Sequence, residues 1–292
     1  IWLLGRSKSR FESRYGESLE RNYLHTIIQD VAEPIHIDAP IDYIIHGAGK
    51  GDPASFEKDP VGIMNANYMG MYRVLELAKI NQVSKVLYIS SGEVYGIVNN
   101  IETDGQGFVE NDYGYLDILL PRACYASSKR AAETLCISYI KQFGINVSIA
   151  RPCHIFGASM LDTDSRVIGE FIHSVLFKKN IIMKSQGIQR RSYCYVADAV
   201  TALIFLLLKG ICGEAYNIAN KNASITIRQL AELSAGLAKT SVIYDTPSED
   251  EKKNSSNINH AVLNPDKMER LGWKPYYGLQ DGFERTISIL RD

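Results

Sequence analysis

The feature that most narrows the fold is the run IDYIIH at residues 41–46, apolar along nearly its whole length and closed by Gly47-Ala48-Gly49. A strand without polar alternation is covered on both faces, as in parallel sheets flanked by helices. The small residues after it let a ligand approach the backbone. Residues 85–90 read as the next strand, turning at Gly92-Glu93-Val94-Tyr95-Gly96, and residues 147–150 as the one after. Between these strands lie a long helix at 60–81 and a second in PRACYASSKRAAETLCISYIKQFG. Strands and helices in alternation make an α/β protein.

The second helix carries the chemistry. Ala131, Leu135, Ile137 and Tyr139 supply its apolar positions and Gly144 its stop. Tyr125 and Lys129 are four apart and share a face. An ammonium near a phenol lowers a pKa that starts near ~10, which makes Tyr125 an acid–base candidate. An isolated YxxxK is common, but of the 17 tyrosines only Tyr125 has a lysine four residues on. The strand VLYIS ends in Ser90-Ser91 and offers a hydroxyl beside the phenol. Hydroxyl, phenol and lysine are the parts needed to take a proton from a sugar alcohol while hydride leaves its carbon.

These stretches, with HGAGKGDP, NANYMGMYRVLELAK, VLYISSGEVYG, IARPCHIFG, RRSYCYVADAV and LGWKP, resemble the extended short-chain dehydrogenase/reductases of the nucleotide-sugar epimerase/dehydratase group. The similarity runs from about residue 42 to residue 275. PRACYxxSKRxAET and DxRVIGEFI are most similar to UDP-glucuronate decarboxylases, with dTDP-glucose 4,6-dehydratases next.

The resemblance implies a doubly wound, mostly parallel Rossmann sheet with a smaller C-terminal substrate domain. Residues 1–152 and 190–212 would form the dinucleotide-binding part, and 153–189 with 213–292 the nucleotide-sugar part. It implies Ser91, Glu93, Tyr125 and Lys129 as the catalytic set. Cofactor contacts would come from Asp30, Ala48, Asn67, Tyr125, Lys129 and Pro152. His154, Arg166, Val167, Arg191 and His260 would meet the nucleotide sugar. Dehydratases of the group place Asp then Glu after the active hydroxyl, and decarboxylases Ser then Glu; this chain has Gly92 then Glu93. The group commonly has Asn at the position of His154 and a phosphate-binding Arg at that of His260. A guanidinium at Arg191 suits a diphosphate. His46 reads as a strand-end histidine.

Residues 1–4 read as a strand running into Gly5-Arg6-Ser7-Lys8. Arg6 and Ser7 would suit the 2′-phosphate of NADP, although a solvated basic turn explains them as well, and members of the group keep NAD. In a dinucleotide fold the central strand and its glycine-rich turn come before this strand. A sheet without its centre leaves backbone groups unpaired in the core. The expectation is that ~25–35 further residues carry that unit in the working protein.

The remaining elements are a helix and short strand at 11–27, helices at 165–177 and 227–237, and a strand at 214–218. A helix at 199–209 should pack back onto the sheet. Residues 99–115 read as a loop over the site, 248–256 as a loop or lid, and the chain closes with a helix. Net charge is −1, which gives no electrostatic case for nucleic acid or an anionic membrane. The apolar run at 202–208 is short of the ~20 residues that span a bilayer. The five cysteines form no metal spacing and favour a reducing cytoplasm. The reading is an NAD(P)-dependent enzyme that modifies a nucleoside-diphosphate sugar through a 4-keto intermediate, as a homodimer in polysaccharide biosynthesis. A 4-keto-sugar reductase using NADPH and a catalytically silent binding protein are the alternatives.

Overall fold

The computed structural model describes residues 1–292 apart from 50, 52, 98–106, 161–163, 247–259 and 292. The 248–256 lid and much of the loop expected at 99–115 therefore lie outside the described residues. The main sheet is parallel, in the order β3 (Tyr43–His46), β4 (Lys85–Ile89), β5 (Val147–Pro152), β9 (Ala215–Ile218). Strand β4 shows why it is covered on both sides. Its side chains alternate, so Val86 and Tyr88 join one core with Met71, Val74, Leu75 and Cys136, while Leu87 joins another with Ala202 and Leu206. The first core is roofed by helices α4 (Gly70–Ile80) and α5 (Cys124–Phe143), the second by α7 (Val196–Lys209). Helix α7 thus packs back on the sheet as expected.

A second parallel pair, β1 (Trp2–Gly5) with β2 (His25–Ile28), stands beside the main sheet. Among the described residues β1 pairs only with β2, and β3 only with β4. A cleft of about 2010 Å³ is lined by residues of both β1 and β3, with Val74 and Leu77 from one layer and Val196 and Leu207 from the other. This corrects the picture of residues 41–46 as fully buried. Tyr43 is 51% and Ile45 48% exposed, because both face the cleft rather than a neighbouring strand. The expected 11–27 helix is shorter, α1 at Lys8–Tyr15 with one tight turn at Gly16–Glu20, and Ser7 caps it by accepting from the Arg10 amide.

The 60–81 helix is interrupted. Helix α3 (Pro60–Met64) passes through a wide turn at Asn65–Met69, where the Gly70 amide reaches back to the Asn65 carbonyl, before α4 begins. Short helix α2 (Pro53–Lys58) precedes it. The extra residue per turn moves Asn67 into the interior, where it is fully buried.

The remaining part is organised on β8 (Arg190–Tyr195). Strand β10 (Ser224–Thr226) runs antiparallel to it, and β12 (His260–Ala261) and β6 (His154–Phe156) run parallel. Helices α6 (Val167–Leu176), α8 (Ile227–Ala238) and the last helix, Leu279–Arg291, close a separate core around Phe156, Phe171, Leu230 and Phe283.

Candidate active site

Ser91 stands where β4 ends, and its Oγ accepts the Glu93 amide at 3.2 Å, starting a tight turn over Gly92–Tyr95. Tyr125 is in the first turn of α5, so a strand end and a helix start meet. The Ser91 hydroxyl is near enough to the Tyr125 phenol to pull its pKa down. Its ring stacks on Phe56 at 4.9 Å, with the planes 14° apart. Phe56 left no signal in the sequence.

Lys129 is on the same face, as the spacing requires. Nζ donates to the Ile89 carbonyl at 2.9 Å and lies 5.0 Å from the Tyr88 ring centre and 5.8 Å from that of Tyr125. The ammonium thus lies over the ring faces of both tyrosines. Burial pushes the Tyr125 pKa up, against the pull of the Ser91 hydroxyl; the Glu93 charge adds to the rise and Arg166 opposes it. The direction is thus opposite to the lowering expected from the sequence, because desolvation leads. Burial likewise pulls Lys129 down to about 8, with Glu133 opposing. Of the apolar positions expected on α5, Tyr139 is buried and Leu135 packs against the core, whereas Ala131 and Ile137 are exposed. Ser128, Lys129, Ala132 and Cys136 complete the inward face.

Asn67 Nδ2 donates to Ser128 Oγ at 2.9 Å, and Ser128 Oγ donates to the Tyr125 carbonyl at 3.0 Å. The wide turn in the long helix is therefore tied to the helix that bears Tyr125. Asn67 Oδ1 is buried without a partner. A Cβ at Gly49 would sit 2.6 Å from that oxygen and 3.8 Å from Lys129 Nζ, and one at Gly51 would sit 3.5 Å from Tyr125 Oη. Glycines at 49 and 51 thus keep open the space in front of Asn67, Lys129 and Tyr125. Ala48 lines the large cleft. Pro152 ends β5, and its carbonyl is 3.4 Å from where a Gly92 Cβ would be. His46 stacks on Tyr88 at 5.8 Å and is held neutral by burial and by Lys129, in keeping with a strand-end histidine.

A cluster of cations and imidazoles lies on the other side. Arg191 is buried, donates to the Arg190 carbonyl at 2.9 Å, and feels the charges of Glu93 and Arg122. His154 feels Arg191 and Arg166, and its Nδ1 is buried without a partner. Burial and the two arginines hold it neutral, with a pKa of about 3. His260 faces Arg190 and Arg191, and its buried Nε2 is also without a partner. Arg166 forms a close pair with Asp164 at 2.6 Å and donates to the Ile155 carbonyl at 3.2 Å. Val167, the first residue of α6, is 38% exposed. Arg166 lowers and Glu93 raises the Tyr125 pKa, so both groups are felt at the phenol.

Arg6, Ser7 and Asp30 are not brought to this cluster. They sit at the ends of β1 and β2, where Arg6 meets Asp30 at 3.5 Å in an exposed pair. At Gly92, a Cβ would stand 3.1 Å from the Leu263 side chain. The position where dehydratases carry an acid is thus occupied by an apolar neighbour.

The family model described as the NAD dependent epimerase/dehydratase family matches residues 1–219. UDP-glucuronic acid decarboxylase 1 of Danio rerio is 33% identical over 265 residues, 90% of this chain and 60% of that protein. UDP-glucuronic acid decarboxylase 6 of Arabidopsis thaliana is 32% identical over 260 residues, 88% of this chain and 71% of that protein. The chain spans 60% of the length of the Danio rerio and Xenopus tropicalis relatives. Among solved structures, a UDP-glucuronic acid 4-epimerase mutant from Bacillus cereus, with NAD and a fluorinated UDP-glucuronic acid, superimposes with a TM-score of 0.82 at 21% identity, covering 100% of this chain and 90% of that one. A dTDP-glucose 4,6-dehydratase from Streptomyces venezuelae does so at 0.81 and 20% identity, covering 100% and 87%.

Proposed function

The chain belongs to the NAD dependent epimerase/dehydratase family, and from that premise we propose that it modifies a nucleoside-diphosphate sugar through a 4-keto intermediate, with UDP-glucuronate and decarboxylation as the specific reading. The observation that carries this is the meeting of Ser91, Tyr125 and Lys129 at the junction of β4 and α5. Asn67 Oδ1 and the open space at Gly49 and Gly51 fit a bound dinucleotide, with Asn67, Ala48, Lys129 and Pro152 as its contacts. The pairing of Arg6 with Asp30 favours NAD over NADP, since that guanidinium already has an anion. A bound NAD would supply hydride transfer from the sugar and back to it.

The chain's own residues move the proton. Tyr125 Oη accepts the proton of the sugar C4 hydroxyl in its phenolate form, which burial disfavours and the Ser91 hydroxyl and Arg166 favour, and Ser91 Oγ donates to the same oxygen. Lys129 supplies the positive charge over the phenol ring. A ketone at C4 is β to a carboxylate on C5, so the C5–carboxylate bond breaks, CO₂ leaves, and the electron pair passes to the C4 oxygen as an enolate. Tyr125 and Ser91 hold that oxyanion. Glu93, whose charge is felt by both Tyr125 and Arg191, would relay to C5 a proton taken from water. Elimination of a hydroxyl would need the acid that is missing at Gly92, which favours decarboxylation. Arg191 with His154 and His260 would bind the diphosphate.

Residues 1–152 and 190–212 are assigned to the dinucleotide part and 153–189 with 213–292 to the sugar part, a division supported by α7 packing on β4 and β5. A homodimer is supported by the exposed apolar residues Val61, Met64 and Tyr68, with Ile137 exposed on α5. A reducing cytoplasm is supported by five free cysteines, and a role in polysaccharide precursor synthesis follows from the substrate class. Among the described residues no helix is long and apolar enough to cross a membrane. The test is incubation of the full protein with a panel of nucleotide sugars and identification of products by mass. Loss of CO₂ from UDP-glucuronate supports the reading; failure to convert any of the panel overturns it.

A further inference from the structure

Glu133 lies one turn beyond Lys129 and two beyond Tyr125 on the same face of α5. It is a nearly buried carboxylate with three close donors. Ser90 Oγ donates to Oε1 at 2.6 Å, Arg151 Nε to Oε1 at 3.0 Å, and Arg151 Nη2 to Oε2 at 2.7 Å. Arg151 extends the network. Its Nη1 donates to Tyr95 Oη at 3.1 Å and to the Glu110 carbonyl at 2.8 Å, while Tyr95 Oη donates to Asn217 Oδ1 at 2.6 Å. One carboxylate therefore ties α5 to the end of β4, next to Ser91, and to the end of β5, next to Pro152.

We propose that Glu133 is a positioning residue for the candidate site: it fixes the strand end that carries Ser91 against the helix that carries Tyr125 and supplies the counter-charge to the buried Lys129 ammonium. The groups around Lys129 leave it that task. Strand β4 offers the Ile89 carbonyl and the Tyr88 ring, β3 the neutral His46, the Asn65–Met69 turn Asn67, and α5 the phenol of Tyr125, the thiol of Cys136 and Glu133. Only Glu133 among them is a carboxylate. Around Glu133 the cations are Lys129, Arg130 and Arg151. Replacing the carboxylate by an amide leaves Arg151 charged and uncompensated, which adds to the pressure on Lys129 to lose its proton.

The role rests on the reading of Lys129 under Proposed function, so the test has a readout independent of turnover. Competitive acetylation of the full protein with acetic anhydride across pH, read at Lys129 by mass spectrometry, gives its titration directly. Glu133→Gln is expected to move that titration down by about one pH unit or more. Turnover needs the ammonium, so activity falls as pH rises through the lysine pKa, and the upper limb of kcat/KM should move down by the same amount. Glu133→Asp, which keeps the charge at shorter reach, should give a smaller shift in the same direction and serves if the Gln variant does not fold. Ser90→Ala keeps the charge and loses only the tether; it should leave the Lys129 titration in place and lower kcat roughly tenfold with KM little changed. An unshifted Lys129 in Glu133→Gln or Glu133→Asp overturns the proposal, as does a loss of activity that is uniform in pH. If no nucleotide sugar is converted by the parent protein, the labelling still decides the question for Glu133.

Discussion

At the residue scale the account turns on one phenol. Tyr125→Phe removes the proton acceptor and keeps the ring on Phe56, so turnover should fall by ~10²-fold or more while nucleotide affinity stays near that of the parent. Steady-state kinetics beside direct binding separates the two. Arg191→Ala should weaken nucleotide-sugar binding by roughly tenfold or more with dinucleotide affinity unchanged, as calorimetry would read, because a charge-assisted contact typically contributes roughly 1.5–3 kcal/mol. Glu93→Gln should allow reduced nicotinamide to form and block product, since the amide cannot exchange a proton; product at the parent rate would remove Glu93 from C5 chemistry. Tyr125 and Lys129 were legible in the sequence because a four-residue spacing fixes a shared helix face. The direction of the Tyr125 shift was not, because desolvation depends on everything packed over the helix. Glu133 had the right spacing too, but its meaning needed Ser90 and Arg151, which are remote in sequence.

At the element scale, the turn after β4 is held by backbone that only glycine adopts easily. Gly96 has φ +68°, and a Cβ there would meet the Tyr115 carbonyl at 2.5 Å. The turn is also clamped to α5 by Arg130, whose Nε donates to the Val94 carbonyl at 2.6 Å and whose Nη2 donates to the Gly114 carbonyl at 2.9 Å. Gly96→Ala should cost about 1–3 kcal/mol from the backbone alone, measurable as a lower denaturant midpoint, and should reduce kcat by shifting Ser91. Strands β4 and β5 were legible because both faces are apolar. The wide turn at Asn65–Met69 was not: one extra residue per turn barely disturbs the apolar pattern, and a buried asparagine reads like any polar residue. The half-exposure of β3 was hidden for a different reason, since burial of a strand is decided by what stands beside it.

At the scale of the whole molecule, the layered α/β order was legible from alternating strands and helices, whereas the separate core around Phe156 and Phe283 rests, apart from β8, on strands of three or so residues that carry little period. Buried His46 and half-buried His154 give the molecule a pH signature. His46 and His154 each fall from 6.5 to about 3, so an unfolded chain takes up protons below pH 6.5 that the folded one refuses until about pH 3. Stability should therefore fall as pH drops through that window, each group adding about 1.4 kcal/mol per pH unit to the slope. His46→Gln should flatten the slope in urea titrations. The central claim, oxidation at C4 with Tyr125 as proton acceptor, is tested most directly by a single-turnover record of nicotinamide absorbance with UDP-glucuronate bearing deuterium at C4. Transient reduced nicotinamide that appears more slowly with the deuterated sugar, and is nearly lost in Tyr125→Phe, is the predicted result; product formed with no such transient and no effect of the label would contradict it.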